Sequence, residues 1–168
     1  MFWGLFMSLD RVDLKILDIL QEDGKISNTK LAEEVNLSAT AVMARVQKLT
    51  KEQFIIGYEA KLNAEKLHAS FLVFVEVLLD KTTANGLNEF IEAVAEYPEI
   101  VECHMTSGGF DFLMKVRSAN MEEYRKFAGE ILWQLPGVKE TRSYPVMQVV
   151  KETSKIKLPK RNIKKGTS

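Results

Sequence analysis

The first third of the chain repeats apolar residues at the spacing of amphipathic helices. From Leu9 onward an apolar residue recurs every three or four positions, which predicts a helix with Asp10 and Asp13 on its polar side. The run ends at Asp23-Gly24, where Gly24 is expected to take the positive φ of a helix C-cap. The pattern therefore opens with one short helix.

Two more short helices are predicted directly after it. The second is expected to begin at Asn28, whose side chain can cap the exposed amides. Asn36 stands where a tight turn needs a left-handed residue, and Ser38 is a good N-cap for a third helix. Between positions 38 and 51 there are three basic residues and no acidic one. Three short helices, with about three residues between the second and third, form the helix-turn-helix pattern.

The hydrophobic period changes in the second half of the chain. Residues 71–79 are apolar on both faces and predict a covered strand. Gly108-Gly109 is a two-residue hairpin signal between two further strands. The predicted order is strand 71–79, helix 87–95, strands 100–106 and 110–117, helix 121–132 and strand 138–150. This is the β-α-β-β-α-β order of a ferredoxin-like unit.

The fold class predicted from these elements is α+β. The predicted organisation is a helix-turn-helix domain at 9–53, a linker strand at 54–67, a βαββαβ domain at 68–150, and a basic tail at 151–168. Helices cover only one face of such a sheet, yet the strand at 71–79 is apolar on both faces. Burial of the second face in another copy avoids a large exposed apolar patch, so we expect a homodimer at least.

The net charge of the chain gives little information about binding partners, whereas the distribution of charged residues along the chain gives more. The 168 residues carry 23 basic and 23 acidic side chains, so net charge favours neither nucleic acid nor membrane. Residues 151–168 contain seven basic residues and one acidic residue. This tail is either a solubilising disordered end or a source of nonspecific contacts to DNA phosphates.

Other sequence features limit location and chemistry. The chain has no apolar run long enough for a membrane-spanning helix, and Met1–Met7 does not have the pattern of a signal peptide, so Met7 is an alternative start. The single cysteine, Cys103, excludes an intrachain disulfide and fits a reducing cytoplasm. Cys103 and His104 point to opposite faces of a strand, and no other ligand has metal-site spacing. We therefore expect no metal site, no catalytic residue and no cofactor.

Many short motifs in one order carry a family resemblance. They are Leu9-Asp10-Arg11-Val12-Asp13, Leu37-Ser38, Arg45-Val46, Gly57-Tyr58, Leu72-Val73-Phe74-Val75-Glu76, Glu102-Cys103-His104, Ser107-Gly108-Gly109-Phe110-Asp111, Tyr124-Arg125-Lys126 and Leu135-Pro136-Gly137-Val138. From about residue 9 to residue 150 the chain resembles the Lrp/AsnC family of bacterial regulators. The resemblance implies a winged or plain helix-turn-helix joined to an amino-acid-responsive domain. It also implies dimers that assemble into octamers or larger rings, wrapping of double-stranded DNA, and a response to leucine or another amino acid.

The chain departs from the family pattern at a few positions. Ala39 stands where the family commonly has proline, and Gln47 replaces a common basic residue. Asn36 and Gln53 stand where glycine is frequent, so Gln53 is expected to be strained if its φ is positive. These departures affect the expected operator sequence more than the fold.

The third helix supplies the candidate DNA contacts. If its N-terminal part enters a major groove, outward side chains face base edges, and hydroxyls near helix N-termini contact phosphates. The candidate DNA-binding residues are Thr29, Ser38, Thr40, Ala41, Ala44, Arg45 and Lys48. The alternative is that Arg45 and Lys48 only form a solvated helix face; the turn pattern and the resemblance favour DNA.

A second candidate site lies at the predicted hairpin. Turn amides at Gly108 and Gly109 can bind a carboxylate, while Asp111 can hold the ammonium group of a free amino acid. Tyr144 is expected to close the pocket from a neighbouring subunit. The candidate effector-binding residues are Met105, Ser107, Gly108, Gly109, Asp111, Phe112, Met121 and Tyr144. The alternative is that the glycines only form a turn and Asp111 only satisfies backbone amides; the resemblance, which implies an effector site at this hairpin, favours the site.

The sequence predicts a cytoplasmic, nucleoid-associated transcription regulator that responds to leucine or another apolar amino acid. The competing hypothesis is a metabolite-binding ferredoxin-like enzyme, or a regulatory subunit of one, with a vestigial helical domain. No nucleophile–base pair supports that hypothesis.

Overall fold

The computed structural model describes residues 9–80 and 86–159. They form two compact units, one of residues 9–60 with 153–159 and the other of residues within 61–152. The predictions about the start at Met1 or Met7, and about the part of the basic tail after residue 159, lie outside the described residues. None of the described helices is long and apolar enough to cross a membrane.

The first unit contains the predicted helix-turn-helix. Its helices are α1 (Arg11–Glu22), α2 (Asn28–Val35) and α3 (Ala39–Lys51). Each contributes apolar residues to one small core, in which Ile16, Leu31, Val42 and Leu49 are almost fully buried. Their three- and four-residue spacing explains why these segments form helices that pack together. No strand pair forms a wing in the described part of this unit.

Side-chain caps set the beginning of each helix. Asp10 caps α1, and Ser38 caps α3 by accepting a hydrogen bond from the Ala41 amide at 3.2 Å. Ser27, and not Asn28 as predicted, caps α2, so Asn28 is already the first helical residue. The predicted left-handed Gly24 is also wrong, because α1 ends on an extended Asp23 whose amide bonds to the Ile19 carbonyl.

The expected left-handed Asn36 is confirmed, and Gln53 has the positive φ under which strain was expected. Asn36 ends α2 with φ 55° and ψ 50°, which turns the chain within three residues toward α3. Gln53 has φ 60° just after α3. A longer side chain such as Gln tolerates this region less well than Gly or Asn, so Gln53 stores modest backbone strain.

The predicted linker strand is absent, and the tail is ordered where it is described. Residues 54–62 form neither helix nor strand. Further along the chain, the Ile156 amide donates to Gln21 Oε1 at 2.6 Å, and Leu158 packs against the core of the first unit. Residues 153–159 therefore belong to the helical unit, in contrast to the disordered end that one interpretation of the tail expected.

The second unit has the predicted βαββαβ order. Its elements are β1 (Phe71–Leu79), α4 (Gly86–Val94), β2 (Ile100–Met105), β3 (Phe112–Ser118), α5 (Met121–Glu130), a 3-10 turn (Leu132–Gln134) and β4 (Val138–Pro145). The strands form an antiparallel sheet in the order β2-β3-β1-β4, which confirms the ferredoxin-like arrangement. The last strand ends at Pro145 and does not reach residue 150.

The sheet has a helix face and an open face. On the helix face Val73, Val75 and Val77 pack with side chains of α4 and α5, including Phe90 and Tyr124. On the open face Leu72, Phe74, Glu76 and Leu78 of β1 point away from this core, as strand alternation requires. Glu76 interrupts the apolar pattern of the open face.

The chain covers part of this open face itself. After β4, the Val146 amide donates to the Leu72 carbonyl at 2.8 Å. Glu152 then reaches Lys115 at 2.7 Å and Arg117 at 3.0 Å, both on β3. Leu72, on the same face, is 5% exposed. Less apolar surface remains for a second copy than the sequence pattern suggested.

The connection between β2 and β3 is longer than predicted. Thr106 N donates to the Asp111 carbonyl at 2.8 Å, so pairing stops there and four residues, 107–110, form the loop. A two-residue type I′ turn needs positive φ at both glycines, and neither Gly108 nor Gly109 has it. The expected tight hairpin is therefore wrong.

Candidate DNA interface and effector site

The α2–turn–α3 segment presents one side of α3 to solvent. Val42 and Leu49 are buried, so residues half a turn away point outward. Among the predicted contacts, Ser38, Thr40, Ala44 and Lys48 are exposed, whereas Ala41 is half-buried. The Lys48 ammonium is 4.0 Å from Glu52, a weak pair that leaves 47% of its side chain accessible.

Hydroxyl groups stand at the first turns of both α2 and α3. Ser38 Oγ accepts a hydrogen bond from the Ala41 amide, and its proton remains able to donate to a phosphate. Thr29 is exposed in the first turn of α2. Thr29 and Ser38 are thus placed near helix N-termini, where positive ends of backbone dipoles favour anions.

Arg45 does not lie on this outward side. It follows Val42 by three residues and precedes Leu49 by four, so its stem lies at the edge of the core. Its Nη1 is 2.6 Å from Asp10 Oδ2 and 2.7 Å from Asp13 Oδ1. Contact of Arg45 with DNA remains a prediction, but the guanidinium is held by two carboxylates of the same unit.

Asp13 was expected on the polar side of α1 and is instead 2% exposed. Its carboxylate accepts from the Asp10 amide at 3.1 Å, and the Asp10 carboxylate accepts from the Asp13 amide at 2.8 Å. This reciprocal capping box explains how a buried carboxylate is tolerated, since Arg45 supplies its counter-charge.

The Asp10–Arg45 contact makes the stability of the first unit sensitive to acid. Burial raises the pKa of the Asp10 carboxyl, but hydrogen bonds from the Asp13 amide and Arg45 outweigh it and hold the pKa below the ordinary 3.8. A lowered pKa gives stability that is complete above 3.8 and is lost as pH falls through the folded value. We expect the unfolding temperature to fall more steeply below about pH 4 in the unsubstituted protein than in Asp10→Asn, which keeps a capping oxygen. Parallel curves in calorimetry would contradict this.

Outward residues of α3 that were not among the predicted contacts include Met43, Gln47 and Lys51. Met43 is 43% exposed, and Gln47 is exposed on the same side as Thr40 and Ala44. The helical period could have found Gln47 and Lys51, because positions 40, 44, 47 and 51 form one stripe opposite Val42 and Leu49. Gln47 is a side chain that can form paired hydrogen bonds with adenine.

The predicted effector loop is open and exposed. Ser107, Gly108 and Gly109 are all exposed, and a Cβ added at either glycine would meet no atom within 4 Å. Neither the backbone conformation nor packing therefore requires glycine here. The amides of this loop have space for a ligand to approach.

Asp111 is bound to the backbone of β1. Its Oδ2 accepts from the Leu79 amide at 2.9 Å, and its own amide donates to the Val77 carbonyl at 2.9 Å. These bonds lie where the β1–β4 register shifts, between Leu78 and Leu79. One interpretation of Asp111 was that its carboxylate only satisfies backbone amides. The hydrogen bond from the Leu79 amide to Oδ2 agrees with that interpretation.

The remaining effector candidates do not come together in one chain. Met105 pairs with Phe112 across β2 and β3 on the helix face, where Phe112 is buried against Phe90. Met121 is exposed at the start of α5. Tyr144 lies on the open face and donates to Glu76 Oε2 at 3.1 Å. The candidates therefore divide between the two faces of the sheet.

A small cleft does adjoin the effector loop. It has a volume of about 70 Å³ and lies on the open face. Its lining residues are Glu76, Leu78, Gly109, Phe110, Glu140 and Arg142. Sites for small molecules usually measure about 300–1,000 Å³, so this cleft alone is too small to enclose an amino acid. A larger concavity of about 310 Å³ runs along β4 beside Trp133 and contains none of the predicted residues.

Within residues 9–80 and 86–159, no three His, Cys, Asp or Glu side chains are grouped so that they could bind a metal ion. Cys103 is half-buried beside Met114 on the sheet, and burial raises the pKa of its thiol. A raised pKa leaves less of the reactive thiolate.

Comparison with known proteins identifies the family of this chain. Residues 9–50 match the model of the AsnC-type helix-turn-helix domain, and residues 72–156 match that of the Lrp/AsnC ligand binding domain. The chain belongs to the Lrp/AsnC family. It is 47% identical over 148 residues to the leucine-responsive regulatory proteins of Klebsiella pneumoniae and Escherichia coli K12, covering 88% of this chain and 90% of each relative.

Solved structures of Lrp/AsnC proteins share the fold. A transcriptional regulator of Neisseria meningitidis in complex with L-Met is similar with a TM-score of 0.86 at 28% identity, over 89% of this chain and 97% of that one. An AsnC family regulator of Agrobacterium tumefaciens gives 0.84 at 32% identity, with the same coverage. This Lrp/AsnC chain is a DNA-binding transcription regulator with an amino-acid-binding domain. The enzyme hypothesis is wrong, because the relatives are regulators.

Proposed function

We propose that this regulator recognises specific duplex DNA through the exposed side of α3 and that leucine, or another apolar amino acid, changes its assembly and DNA affinity. The observation that carries the DNA half is the outward stripe of α3. It contains no acidic side chain and begins at a capped helix N-terminus. Such a surface suits a major groove, whose edges and phosphates are rich in acceptors.

The proposed DNA contacts divide by role. Ser38 and Thr29 bind phosphate and fix the register, while Thr40 and Gln47 reach base edges. Ala41 and Ala44 allow close approach and apolar contact with thymine methyl groups. Lys48 and Lys51 contribute charge toward the phosphates at the other end of the helix. Arg45 is omitted from this set because of its two carboxylate partners.

The proposed effector site centres on the loop at Gly108 and Gly109. Their open amides bind the carboxylate of the amino acid, and the cleft beside Gly109 places Glu76 and Glu140 within the same region for the ammonium group. Asp111, anchored at Leu79 N, orders the loop from its other end. Family membership supports an amino acid as ligand, and the relatives named for leucine and crystallised with L-Met support an apolar one.

A second copy is needed to complete this site. The cleft is small, and Met105, Met121 and Tyr144 are exposed on separate surfaces of one chain. We propose that dimers, assembled further into octamers or larger rings, bring such surfaces together around the effector. Effector binding then favours one assembly, and DNA affinity changes by the difference in energy, typically about 1–3 kcal/mol.

Replacing Gly109 by Ala separates a ligand role from a turn role. We expect the free energy of unfolding to change by no more than about 0.5 kcal/mol, because φ is not positive and the added methyl meets open space. Binding of leucine or methionine, measured by calorimetry, is expected to weaken about tenfold because the methyl blocks approach to the amide. Gly129→Ala, equally open but outside the loop, is the matched control. Unchanged affinity in Gly109→Ala would remove this loop from the site.

The whole proposal is tested by selection from a random pool of duplexes, followed by gel shifts of the selected duplex with leucine, with methionine and without either. Sequence enrichment together with an amino-acid-dependent shift is the expected result. No enrichment under any condition would refute the DNA half, whereas enrichment without an amino-acid effect would refute only the effector half. Ultracentrifugation of the same samples tests the assembly.

We place the regulator in the cytoplasm, associated with the nucleoid, because the ligand proposed for α3 is DNA.

A further inference from the structure

We propose that Arg45 is a positioning residue, which locks α3 onto the N-terminal turn of α1 and does not itself contact DNA. The inference rests on the proposed DNA binding, and it concerns how the recognition helix is held in its binding orientation. This role differs from the DNA contact that the basic residues of the third helix predicted for Arg45.

The contacts around Arg45 form a closed hydrogen-bonded group. Asp10 uses Oδ1 to accept from the Asp13 amide and Oδ2 to accept from Arg45. Asp13 uses Oδ2 to accept from the Asp10 amide and Oδ1 to accept from Arg45. All four carboxylate oxygens therefore have a partner, and one guanidinium joins the cap of α1 to the middle of α3.

Burial fixes this arrangement. The Asp13 side chain is 3% exposed, so its carboxylate cannot exchange Arg45 for water without a conformational change. Arg45 retains 32% exposure, yet its stem lies between the positions of Val42 and Leu49. A move of the guanidinium to DNA would leave Asp13 buried without its counter-charge.

The two possible roles of Arg45 predict opposite changes in DNA affinity when Asp13 is replaced by Asn. If Arg45 contacted DNA, Asp13→Asn would release it from a competing carboxylate, and DNA binding would tighten. If Arg45 positions α3, Asp13→Asn removes the charge of the buried partner in this link and weakens specific binding, in the same direction as Arg45→Met, which removes both contacts. Arg45→Met keeps the apolar stem and removes only the charged head.

The experiment measures binding of the full chain to the duplex that the unsubstituted protein selects, across a series of salt concentrations. All variants are compared well below their unfolding temperatures, with helicity checked by circular dichroism. We expect Arg45→Met and Asp13→Asn each to weaken specific binding about tenfold. Binding to a scrambled duplex and the slope of log Kd against log salt are expected to stay unchanged. A role in stability alone would leave specific binding unchanged in the folded variants, and that result would overturn the proposal.

Lys48→Met is the control for a direct phosphate contact, with an expected loss of about 0.9 in the salt slope. The same loss in Arg45→Met, or tighter binding in Asp13→Asn, would overturn the proposal. Arg45→Lys is expected to recover part of the specific affinity, because one ammonium can partly replace the link. If Asp13→Asn does not fold, Asp10→Asn removes one of the two partners and is expected to show a smaller loss of the same sign. Failure of the unsubstituted protein to select any duplex refutes the proposed function instead.

Discussion

Replacing Lys48 by Glu is expected to weaken binding to the selected duplex by about 10- to 100-fold at low salt, which corresponds to about 1–3 kcal/mol. The ammonium lies on the exposed side of α3 and has only a 4.0 Å pair with Glu52. Reversal of its charge places a carboxylate beside DNA phosphates. Loss of the weak helix pair, and the new like-charge neighbour, cost only a few tenths of a kcal/mol in stability. Gel shifts and thermal unfolding measure the two effects.

Lys66→Glu is the matched control for this substitution. It changes net charge by the same amount at another exposed lysine, outside the helix-turn-helix. We expect its DNA affinity to change less than about threefold, because Lys66 lies outside α3 and is not among the side chains proposed to contact DNA. Equal losses of DNA affinity in the two variants would show that net charge, and not the position of Lys48 on the exposed side of α3, determines affinity.

Replacing Phe90 by Ala is expected to destabilise the second unit by about 3–5 kcal/mol. Phe90 is fully buried, and its ring centroid lies 4.6 Å from that of Phe112 on β3. Truncation removes apolar contact and leaves a cavity between α4 and the sheet. Chemical denaturation, followed by the fluorescence of Trp133 in the same unit, measures the loss.

Ile91→Ala tests the specificity of that result. Ile91 is the next residue of α4 and is 46% exposed. We expect a loss of no more than about 1 kcal/mol from its partial burial. A loss as large as that of Phe90→Ala would mean that Ile91 is covered, as contact with a second copy would do.

The elements of both units were predictable from sequence because local rules decide them. Ser38 caps α3, Asn36 takes the left-handed turn, and the alternating valines of β1 point to one core. Some details failed locally, such as the cap of α2, whereas the burial of Asp13 depends on a contact distant in sequence. Asp13 is buried because Arg45, 32 residues later, neutralises it, and nothing local to α1 signals that partner.

The candidate sites differ in how far sequence could predict them. The proposed DNA face follows from the helical period, and a stricter use of that period adds Gln47 and places Arg45 outside the outward stripe. The effector site depends on which strand face each residue occupies, and on where strand pairing stops. Gly108-Gly109 indicated a tight turn, but the Thr106–Asp111 pairing leaves a wider loop. Met105, Met121 and Tyr144 do not come together within one chain. The sequence pattern of that chain therefore could not define a complete effector pocket.

The docking of residues 153–159 affects how the protein is made. Leu158 packs against the core of a unit whose buried residues all lie before residue 60. During synthesis the three helices leave the ribosome first, yet their packing is finished only after residue 158 has been added. The contact of Leu158 with the DNA-binding unit is therefore made last during synthesis, and a fragment that ends at residue 60 lacks it.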